Sequence, residues 1–278
     1  MQGLVEGKVA LVTGAARAQG RAHAVRLAEQ GADVIAVDVC EDIPGVPYEG
    51  ATQDELDETV QMVEKHGRRI VARKVDVRDL AGLQAAIDDG VAELGGLDVA
   101  VANAGIMGAM RPGWELSEED WATTIGINLT GVWHTAKVAI PHMIAGGSGG
   151  SLILISSMAG LRGVGNVADY SASKHALVGL SRSLARDAGP YRIRVNTVHP
   201  GSIPTKLLMH ETMYRIFRPD LENPTLEDCR RIFRSLNLLP DAFQDVEDVA
   251  NAVLWLASDL SRATTGTALT VDGGASFA

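Results

Sequence analysis

The chain has only two cysteines, no excess of basic residues and no long apolar run. Cys40 and Cys229 lie far apart in 278 residues and have neither the spacing of a metal site nor that of a redox pair. We interpret them as free thiols of a protein from a reducing compartment. The formal net charge is −10, whereas nucleic-acid binding usually needs a basic face. We therefore expect no nucleic-acid partner.

Two further absences concern the membrane and export. No apolar segment approaches the roughly 20 residues that span a bilayer. The first residues lack the charged and then apolar segments of a signal peptide, and no polar tract indicates disorder. We expect a soluble cytoplasmic protein that has no membrane partner.

Short apolar segments instead alternate with longer segments of helical spacing. Apolar residues make up 46% of the chain, enough for the core of one α/β domain that covers residues 1–278. Several short segments are apolar at consecutive positions, which is typical of strands buried on both faces. The predicted strands are Val9 to Val12, Val34 to Val37, Ile70 to Val75, Val99 to Ala102, Leu152 to Ile155, Ile193 to Val198 and Ala268 to Val271. The predicted helices cover about 20–30, 53–66, 79–94, 118–145, 169–188 and 245–258.

This alternation predicts a doubly wound, Rossmann-type α/β fold. We expect a seven-stranded parallel sheet with right-handed crossovers, helices on both faces and a single domain. The segment from Ser202 to Gln244 departs from the pattern, because it is long and carries four prolines.

The turn after the first strand has the residues of a nucleotide site. The strand ends at Thr13-Gly14, and a helix begins near Gly20. Glycines there let backbone N–H groups and the positive end of the helix approach a pyrophosphate. Asp38 ends the second strand, where a carboxylate binds a ribose 2′-hydroxyl and repels a 2′-phosphate. Arg17 would favour a 2′-phosphate, but the carboxylate is the stronger discriminator, so the sequence predicts NAD.

A second group of residues predicts acid-base chemistry. Tyr170 and Lys174 are four residues apart, and Ser157 precedes the tyrosine by thirteen. On a helix this spacing places both side chains on one face, where an ammonium can lower the phenol pKa from about 10. The pair alone is weak evidence, but the serine and the glycine turn together indicate hydride transfer. The histidines lack metal spacing, and we expect no metal.

With these motifs in order, the sequence resembles the short-chain dehydrogenase/reductase superfamily over nearly its whole length. The family's glycine motif maps onto Thr13 to Gly20, with Ala18 in place of the middle glycine. The other motifs map onto Asp76-Val77, Asn103-Ala104-Gly105, Asn128, Ser157 with Tyr170 and Lys174, and Pro200 to Thr205. If that position needs a positive φ, the methyl group of Ala18 would alter the packing of the turn. We expect NAD binding to survive.

The resemblance implies a role for each matched residue. Tyr170 is the acid-base group, Lys174 assists it and holds the nicotinamide ribose, and Ser157 binds the substrate oxygen. Asn128 anchors a water through which the proton leaves. The implied cofactor-binding residues are Gly14, Arg17, Ala18, Gln19, Gly20, Asp38, Asp76, Val77, Asn103, Ala104, Gly105, Tyr170, Lys174, Pro200, Gly201, Ile203 and Thr205. The helices that carry Asn128 and Tyr170 correspond to the family's dimer-forming helices, which implies a homotetramer.

A narrower resemblance is to the mycofactocin-coupled branch, which includes carveol dehydrogenase-like enzymes. It rests on the sequence from Gly14 to Gly31, on the strand end around Asp38 and on an insertion from Glu41 to Gln53. The branch implies that the insertion covers tightly held NAD and that a peptide-derived redox carrier reoxidises it in place. The alternative is that the insertion is a decorated surface loop.

The segment from Ser202 to Gln244 stands where the family has its substrate lid. Its methionines and phenylalanines predict an apolar pocket, with Met107, Met110 and Trp114 as the opposite wall. Its arginines alternate with acidic residues, which favours a solvated helix face over a site for an anionic substrate.

We therefore expect the substrate to be a hydrophobic cyclic or terpenoid-like secondary alcohol, or the corresponding ketone. Two alternatives remain open at this point. One is a freely NAD(P)-exchanging ketone or acyl-thioester reductase, and the other is a nucleotide-binding regulator that keeps the fold without the chemistry.

Overall fold

Seven parallel strands form one sheet in the computed structural model, which describes residues 3–278. The strands are β1 (Val9–Thr13), β2 (Asp33–Asp38), β3 (Ile70–Lys74), β4 (Val99–Ala102), β5 (Gly150–Ile155), β6 (Ile193–Pro200) and β7 (Ala268–Val271). Their order across the sheet is β3-β2-β1-β4-β5-β6-β7. The direction of winding reverses between β1 and β4, which opens a crevice at the carboxyl ends of these two strands.

Nine α-helices lie in the described chain. They are α1 (Ala18–Glu29), α2 (Gln53–Glu64), α3 (Leu80–Leu94), α4 (Glu118–Ile125), α5 (Val132–Gly146), α6 (Ala168–Ala188), α7 (Glu211–Phe217), α8 (Leu226–Ser235) and α9 (Val246–Ala257). The predicted fold class is confirmed, and all seven predicted strands are present. The short helices α7 and α8 lie in the proline-containing segment, for which the apolar spacing predicted no helix bounds.

The sheet is covered on both faces because its central strands are apolar on both faces. Every residue of β1, β2 and β4 is buried. One face packs against α1, α2 and α9, with Leu27 and Leu256 in that layer. The other packs against α3, α5 and α6, with Ile87 and Leu177. Full burial of each such side chain contributes roughly 1.5–3 kcal/mol.

The predicted helix over 118–145 is continuous but not regular. It begins at an N-cap on Ser117, whose hydroxyl accepts from the backbone N–H of Asp120. Six residues, Gly126–Gly131, form a π-helical segment between α4 and α5. Such segments often occur at functional sites, and this one contains Asn128.

Among residues 3–278, no helix combines the length and the apolar character that a membrane span requires.

His23 is a buried base in α1. Its side chain is fully buried, and neither ring nitrogen has a hydrogen-bond partner in the described chain. Burial lowers the pKa of His23 from 6.5 to about 3. The unfolded chain therefore takes up a proton near pH 6.5, and the folded chain does so only near pH 3. It follows that stability is greatest above about pH 6.5 and falls as the pH decreases through this window.

We expect His23→Leu to make stability less dependent on pH. Each pH unit within the window costs the wild type about 1.4 kcal/mol, so a change from pH 7 to pH 5 should cost it roughly 2 kcal/mol through His23. The free energy of urea unfolding, measured for both proteins at pH 7 and pH 5, checks this. Equal losses in the two proteins would show that His23 does not carry the effect.

Candidate active site

Two adjoining cavities open at the carboxyl ends of the strands. The first, of about 200 Å³, is lined by the glycine turn, the ends of β2 and β4, and the insertion. The second, of about 360 Å³, is lined mainly by the lid and by the segment after β5. Tyr170 lines both cavities. This arrangement places a titratable hydroxyl between the cavity beside the glycine turn and the cavity beneath the lid.

The glycine turn is built for close approach to a ligand. Gly14 has a φ of 66°, which favours glycine. A Cβ on Gly20 would overlap the carbonyl of Gly14, so the helix can begin directly against the turn. Thr13 Oγ1 accepts from the backbone N–H groups of Asn103 (3.0 Å) and Ala104 (3.1 Å), which ties the end of β4 to the turn. These features fit a bound pyrophosphate.

Ala18 occupies the position of the missing glycine with a φ of 49°. The left-handed region costs an L-residue roughly 1–2 kcal/mol. We expect Ala18→Gly to remove this strain, offset in part by about 0.4–1 kcal/mol of extra unfolded-state entropy. The net gain in the free energy of unfolding should be roughly 0.5–1 kcal/mol, with the Kd for NAD changed less than fivefold or so. Urea unfolding and calorimetric titration of the NAD-free protein with NAD check this, and a loss of stability would contradict it.

Asp38 and Arg17 have different partners. One oxygen of the buried Asp38 carboxylate accepts from the N–H of Ala16 at 2.9 Å and the other from that of Cys40 at 3.1 Å. A carboxylate has about four acceptor positions, so Asp38, which lines the first cavity, keeps capacity for a ribose hydroxyl. The Arg17 guanidinium instead donates to the carbonyls of Glu49 (2.6 Å) and Gly50 (2.7 Å) in the insertion. This geometry fits NAD better than a cofactor with a 2′-phosphate.

The predicted nucleotide-site residues that precede β6 also line the first cavity. Asp76 and Val77 lie at its wall with Gln19 and Gly105. Burial raises the pKa of Asp76, but hydrogen bonds from Arg78 outweigh this and leave the pKa below its usual value. Asp76 is therefore an ionised carboxylate that is already paired.

The segment after β6 lies at the second cavity. Pro200, Gly201, Ile203 and Thr205 line that cavity, and Thr205 also lines the first. The backbone N–H of Gly201 donates to the carbonyl of Val271 at 3.0 Å, which fixes the segment against β7. This placement at the junction of the two cavities fits the cofactor-binding role that the resemblance implies for the segment.

Ser157, Tyr170 and Lys174 come together as their spacing predicts. Ser157 follows β5, and α6 presents Tyr170 and Lys174 on its buried side. The Lys174 ammonium donates to the carbonyl of Ile155 at 2.9 Å and lies 5.6 Å from the centre of the Tyr170 ring. The sequence thus identified three side chains that share one buried site.

The pKa values follow from burial. Burial raises the pKa of Tyr170, and a hydrogen bond from Ser157 opposes the rise without cancelling it. Burial also lowers the pKa of Lys174 to about 8. The expectation that Lys174 lowers the phenol pKa is therefore wrong for the chain on its own. Desolvation of the buried phenol determines the direction of the shift, and the Lys174 ammonium donates to the carbonyl of Ile155 rather than to the phenol.

Asn128 has a positioning contact that the sequence did not predict. Its side-chain oxygen accepts from the N–H of Ile106, and its amide donates to the carbonyl of the same residue, both at 2.8 Å. A weaker contact of 3.4 Å reaches Ser173. The side chain thus fixes the segment after Gly105, and the water-binding role stays a prediction.

The insertion from Glu41 to Gln53 lies over the first cavity. Ile43 and Val46 pack against the cluster that contains Val77, and the Tyr48 hydroxyl accepts from the N–H of Met107 at 3.1 Å. The ring of Tyr48 lies 5.4 Å from that of His210 in the lid. Burial raises the pKa of Tyr48 to about 12, so the hydroxyl stays protonated.

Tyr48 was not among the predicted site residues. Its position in an insertion rich in glycine and proline was the only signal in the sequence, and that signal does not specify a partner. The loop is tied further by an ion pair between Lys206 and Glu49 at 3.1 Å.

The second cavity is apolar, as predicted. Met213, Phe217 and Phe233 line it from the lid, and Met107 lines it from the other side. The prediction for Trp114 is wrong, because this side chain is 87% exposed. The 3₁₀ turn Gly113–Glu115 carries it to the surface.

Met110 packs in the clusters that contain Tyr170 and Phe233, although it is not among the lining residues. Three lid arginines form exposed ion pairs: Arg215 with Glu211, Arg218 with Asp220, and Arg230 with Glu227. This confirms the interpretation of a solvated helix face.

The fold and the two cavities are those of the class of nicotinamide-dependent oxidoreductases. The sequence matches the family model described as enoyl-(acyl carrier protein) reductase over residues 14–276. It is 51% identical over 270 residues to a (−)-trans-carveol dehydrogenase from Rhodococcus erythropolis, covering 97% of this chain and 98% of that one. The chain belongs to the short-chain dehydrogenase/reductase family.

Two solved structures are closely similar. One is the carveol dehydrogenase from Mycobacterium avium in complex with NAD, at 48% identity and a TM-score of 0.97, covering 98% of this chain and 99% of that one. The other is a short-chain dehydrogenase from Mycobacterium paratuberculosis bound to NAD, at 45% identity and a TM-score of 0.90, covering 99% of each chain. The prediction of NAD agrees with the cofactor of both structures.

Proposed function

We propose that the protein is an NAD-dependent dehydrogenase that oxidises a hydrophobic cyclic secondary alcohol, such as carveol, to its ketone. The observation that carries this proposal is the position of Tyr170, buried between the glycine-turn cavity and the apolar cavity. The name of the carveol dehydrogenase relative supports the substrate class. The apolar lining supports it independently, because it offers no charged partner inside the pocket except Arg162.

In the proposed reaction the chain moves one proton. Bound NAD⁺ would supply the hydride acceptor, and its positive charge would favour the phenolate of Tyr170, whose pKa burial raises in the chain alone. The Tyr170 phenolate removes the hydroxyl proton of the substrate as its carbon–hydrogen bond breaks. Ser157 donates a hydrogen bond to the substrate oxygen and stabilises the charge that develops there. Acid-base catalysis of this kind contributes about 10²–10⁴-fold.

Lys174 and Asn128 support this proton transfer. The pKa of Lys174, lowered to about 8 by burial, allows it to give up and regain a proton near neutral pH. The contact of Lys174 with the Ile155 carbonyl (2.9 Å) holds its ammonium near the phenol. Asn128 holds the segment from Gly105 to Ile106 beside them, and we infer that the proton leaves along this side of the site.

We further propose that NAD is held tightly beneath the insertion and reoxidised in place by an external, peptide-derived redox carrier. Four contacts support retention: Arg17 to the carbonyls of Glu49 and Gly50, Tyr48 to Met107, and Lys206 to Glu49. The resemblance to the mycofactocin-coupled branch supports the carrier. We also propose a homotetrameric, cytoplasmic enzyme.

The test begins with the purified protein. Mass spectrometry of the denatured protein should find about one NAD per chain after gel filtration. An alcohol panel with a dye acceptor and no added NAD should then give turnover for carveol and related alcohols. Turnover only with added NAD or NADP would favour a freely exchanging reductase, and no turnover with retained NAD would favour a regulator.

A further inference from the structure

His199 of β6 is fully buried beside the proposed catalytic serine. Its Nδ1 lies 2.8 Å from the backbone carbonyl oxygen of Ser157, and its Nε2 lies 2.8 Å from the hydroxyl oxygen of Thr197. Thr197 is also fully buried. Both ring nitrogens of a buried histidine are therefore engaged, and one of them contacts the residue that binds the substrate oxygen.

The chemistry of the partners determines the tautomer. A carbonyl oxygen only accepts, so Nδ1 must carry the proton and donate to Ser157. Burial lowers the pKa of His199, which keeps the ring neutral and leaves Nε2 an acceptor. The Thr197 hydroxyl then donates to Nε2, its nearer partner, since the carbonyl of Thr267 is 3.3 Å away. Thr197 thus keeps the Nδ1 proton directed at Ser157.

Two further hydrogen bonds to Ser157 leave only its hydroxyl hydrogen free to donate. The carbonyl of Ser157 also accepts from the N–H of Gly160 at 2.9 Å. The hydroxyl oxygen of Ser157 accepts from the N–H of Ala159 at 3.1 Å. The hydroxyl hydrogen of Ser157 therefore remains free to donate towards Tyr170 and the substrate. His199 and Gly160 fix the backbone of Ser157, and Ala159 fixes its side chain.

We propose that His199 is a positioning residue for the reaction, and that its Nδ1–H orients the Ser157 hydroxyl through the serine's backbone carbonyl. This inference rests on the catalytic role proposed above for Ser157. A misplacement of about 1 Å can cost on the order of 100-fold in rate, so loss of this one donor should affect turnover more than substrate binding.

Two amide variants separate the two ring nitrogens. The side-chain nitrogen of His199→Asn reaches the position of Nδ1, and that of His199→Gln reaches the position of Nε2. With carveol and a dye acceptor, we expect kcat to remain within about threefold of wild type in His199→Asn and to fall about 10-fold to 100-fold in His199→Gln. The KM for the alcohol and the NAD content should be within about twofold of wild type in both.

A purely structural role predicts a different result. It predicts that kcat in the two variants follows their thermal stability, or that neither variant loses activity, and either result would overturn the proposal. If His199→Gln does not fold, Thr197→Val and Thr197→Ser provide a second pair. Valine should lower kcat by about threefold to tenfold and serine should not; equal kcat values in this pair would also overturn the proposal.

Ser157→Ala distinguishes the proposed role of Ser157 from the proposed positioning role of His199. Full activity in Ser157→Ala would refute the proposed role of the serine. An inactive Ser157→Ala together with a fully active His199→Gln would refute only the positioning role of His199.

Discussion

Tyr170→Phe should lower turnover of a secondary alcohol by about 10²–10⁴-fold, while NAD remains bound. The substitution removes only the hydroxyl, at a buried side chain in contact with Ala159 and Val167. Phenylalanine preserves the apolar packing, so the fold should persist. The measurement is kcat with a dye acceptor, together with the NAD content of the purified variant.

Tyr191→Phe is the matched control for this prediction. Tyr191 is half-exposed in the 3₁₀ turn Gly189–Tyr191 and lines neither cavity, so its variant should turn over like the wild type. Turnover within a few-fold of wild type in Tyr170→Phe would exclude this residue as the acid-base group. Loss of NAD in that variant would show that the hydroxyl serves the cofactor site instead.

Arg17→Leu should accelerate the release of NAD by about 100-fold. The two hydrogen bonds to the carbonyls of Glu49 and Gly50 hold the insertion over the cavity. Hydrogen bonds from a charged group contribute about 1.5–3 kcal/mol each, and 1.4 kcal/mol corresponds to about tenfold. The measurement is the exchange of bound NAD for isotopically labelled NAD, followed by mass spectrometry over time.

Arg26→Leu provides the control for Arg17→Leu. Arg26 lies near the other end of α1, where it contacts Glu29 and Asn251, so its loss changes the helix surface without touching the insertion. Equal exchange rates in the wild type and both variants would mean that the insertion does not retain NAD. Rapid exchange in the wild type would favour the alternative that the insertion is a surface loop that does not retain NAD.

The sheet and the catalytic helix could be predicted because their signals are local. Consecutive apolar residues, as in Val34 to Val37, indicate a strand buried on both faces. The spacing of Tyr170 and Lys174 places them on one side of a helix whatever packs against it. Motif order along a doubly wound fold then determines which loops meet at the carboxyl edge of the sheet.

The remaining features depend on contacts between distant segments. The role of Arg17 depends on the path of an insertion some 30 residues later in the chain, and no local pattern encodes that path. Tyr48 reaches Met107 across 59 residues, and Trp114 points to solvent because a short 3₁₀ turn precedes α4. Helical spacing does not predict the π-helical segment around Asn128 either, because no residue type in it distinguishes it from an α-helix.

The raised pKa of Tyr170 is a further feature that could not be predicted from the sequence. Sequence spacing predicts the proximity of Lys174, but burial of the whole pair determines the sign of the shift. Charge and desolvation act in opposite directions on a phenol, and only the packed structure shows which is larger.

A single-turnover experiment on the protein as purified tests directly whether Tyr170 and retained NAD oxidise an alcohol. The protein is mixed with excess carveol in the absence of added NAD and of any electron acceptor, and absorbance at 340 nm is followed. We expect a rapid rise that corresponds to one NADH per bound NAD and then stops, and Tyr170→Phe should slow it by about 10²–10⁴-fold. No rise in wild-type protein that carries NAD would contradict the central claim, and so would a rise of equal rate in Tyr170→Phe.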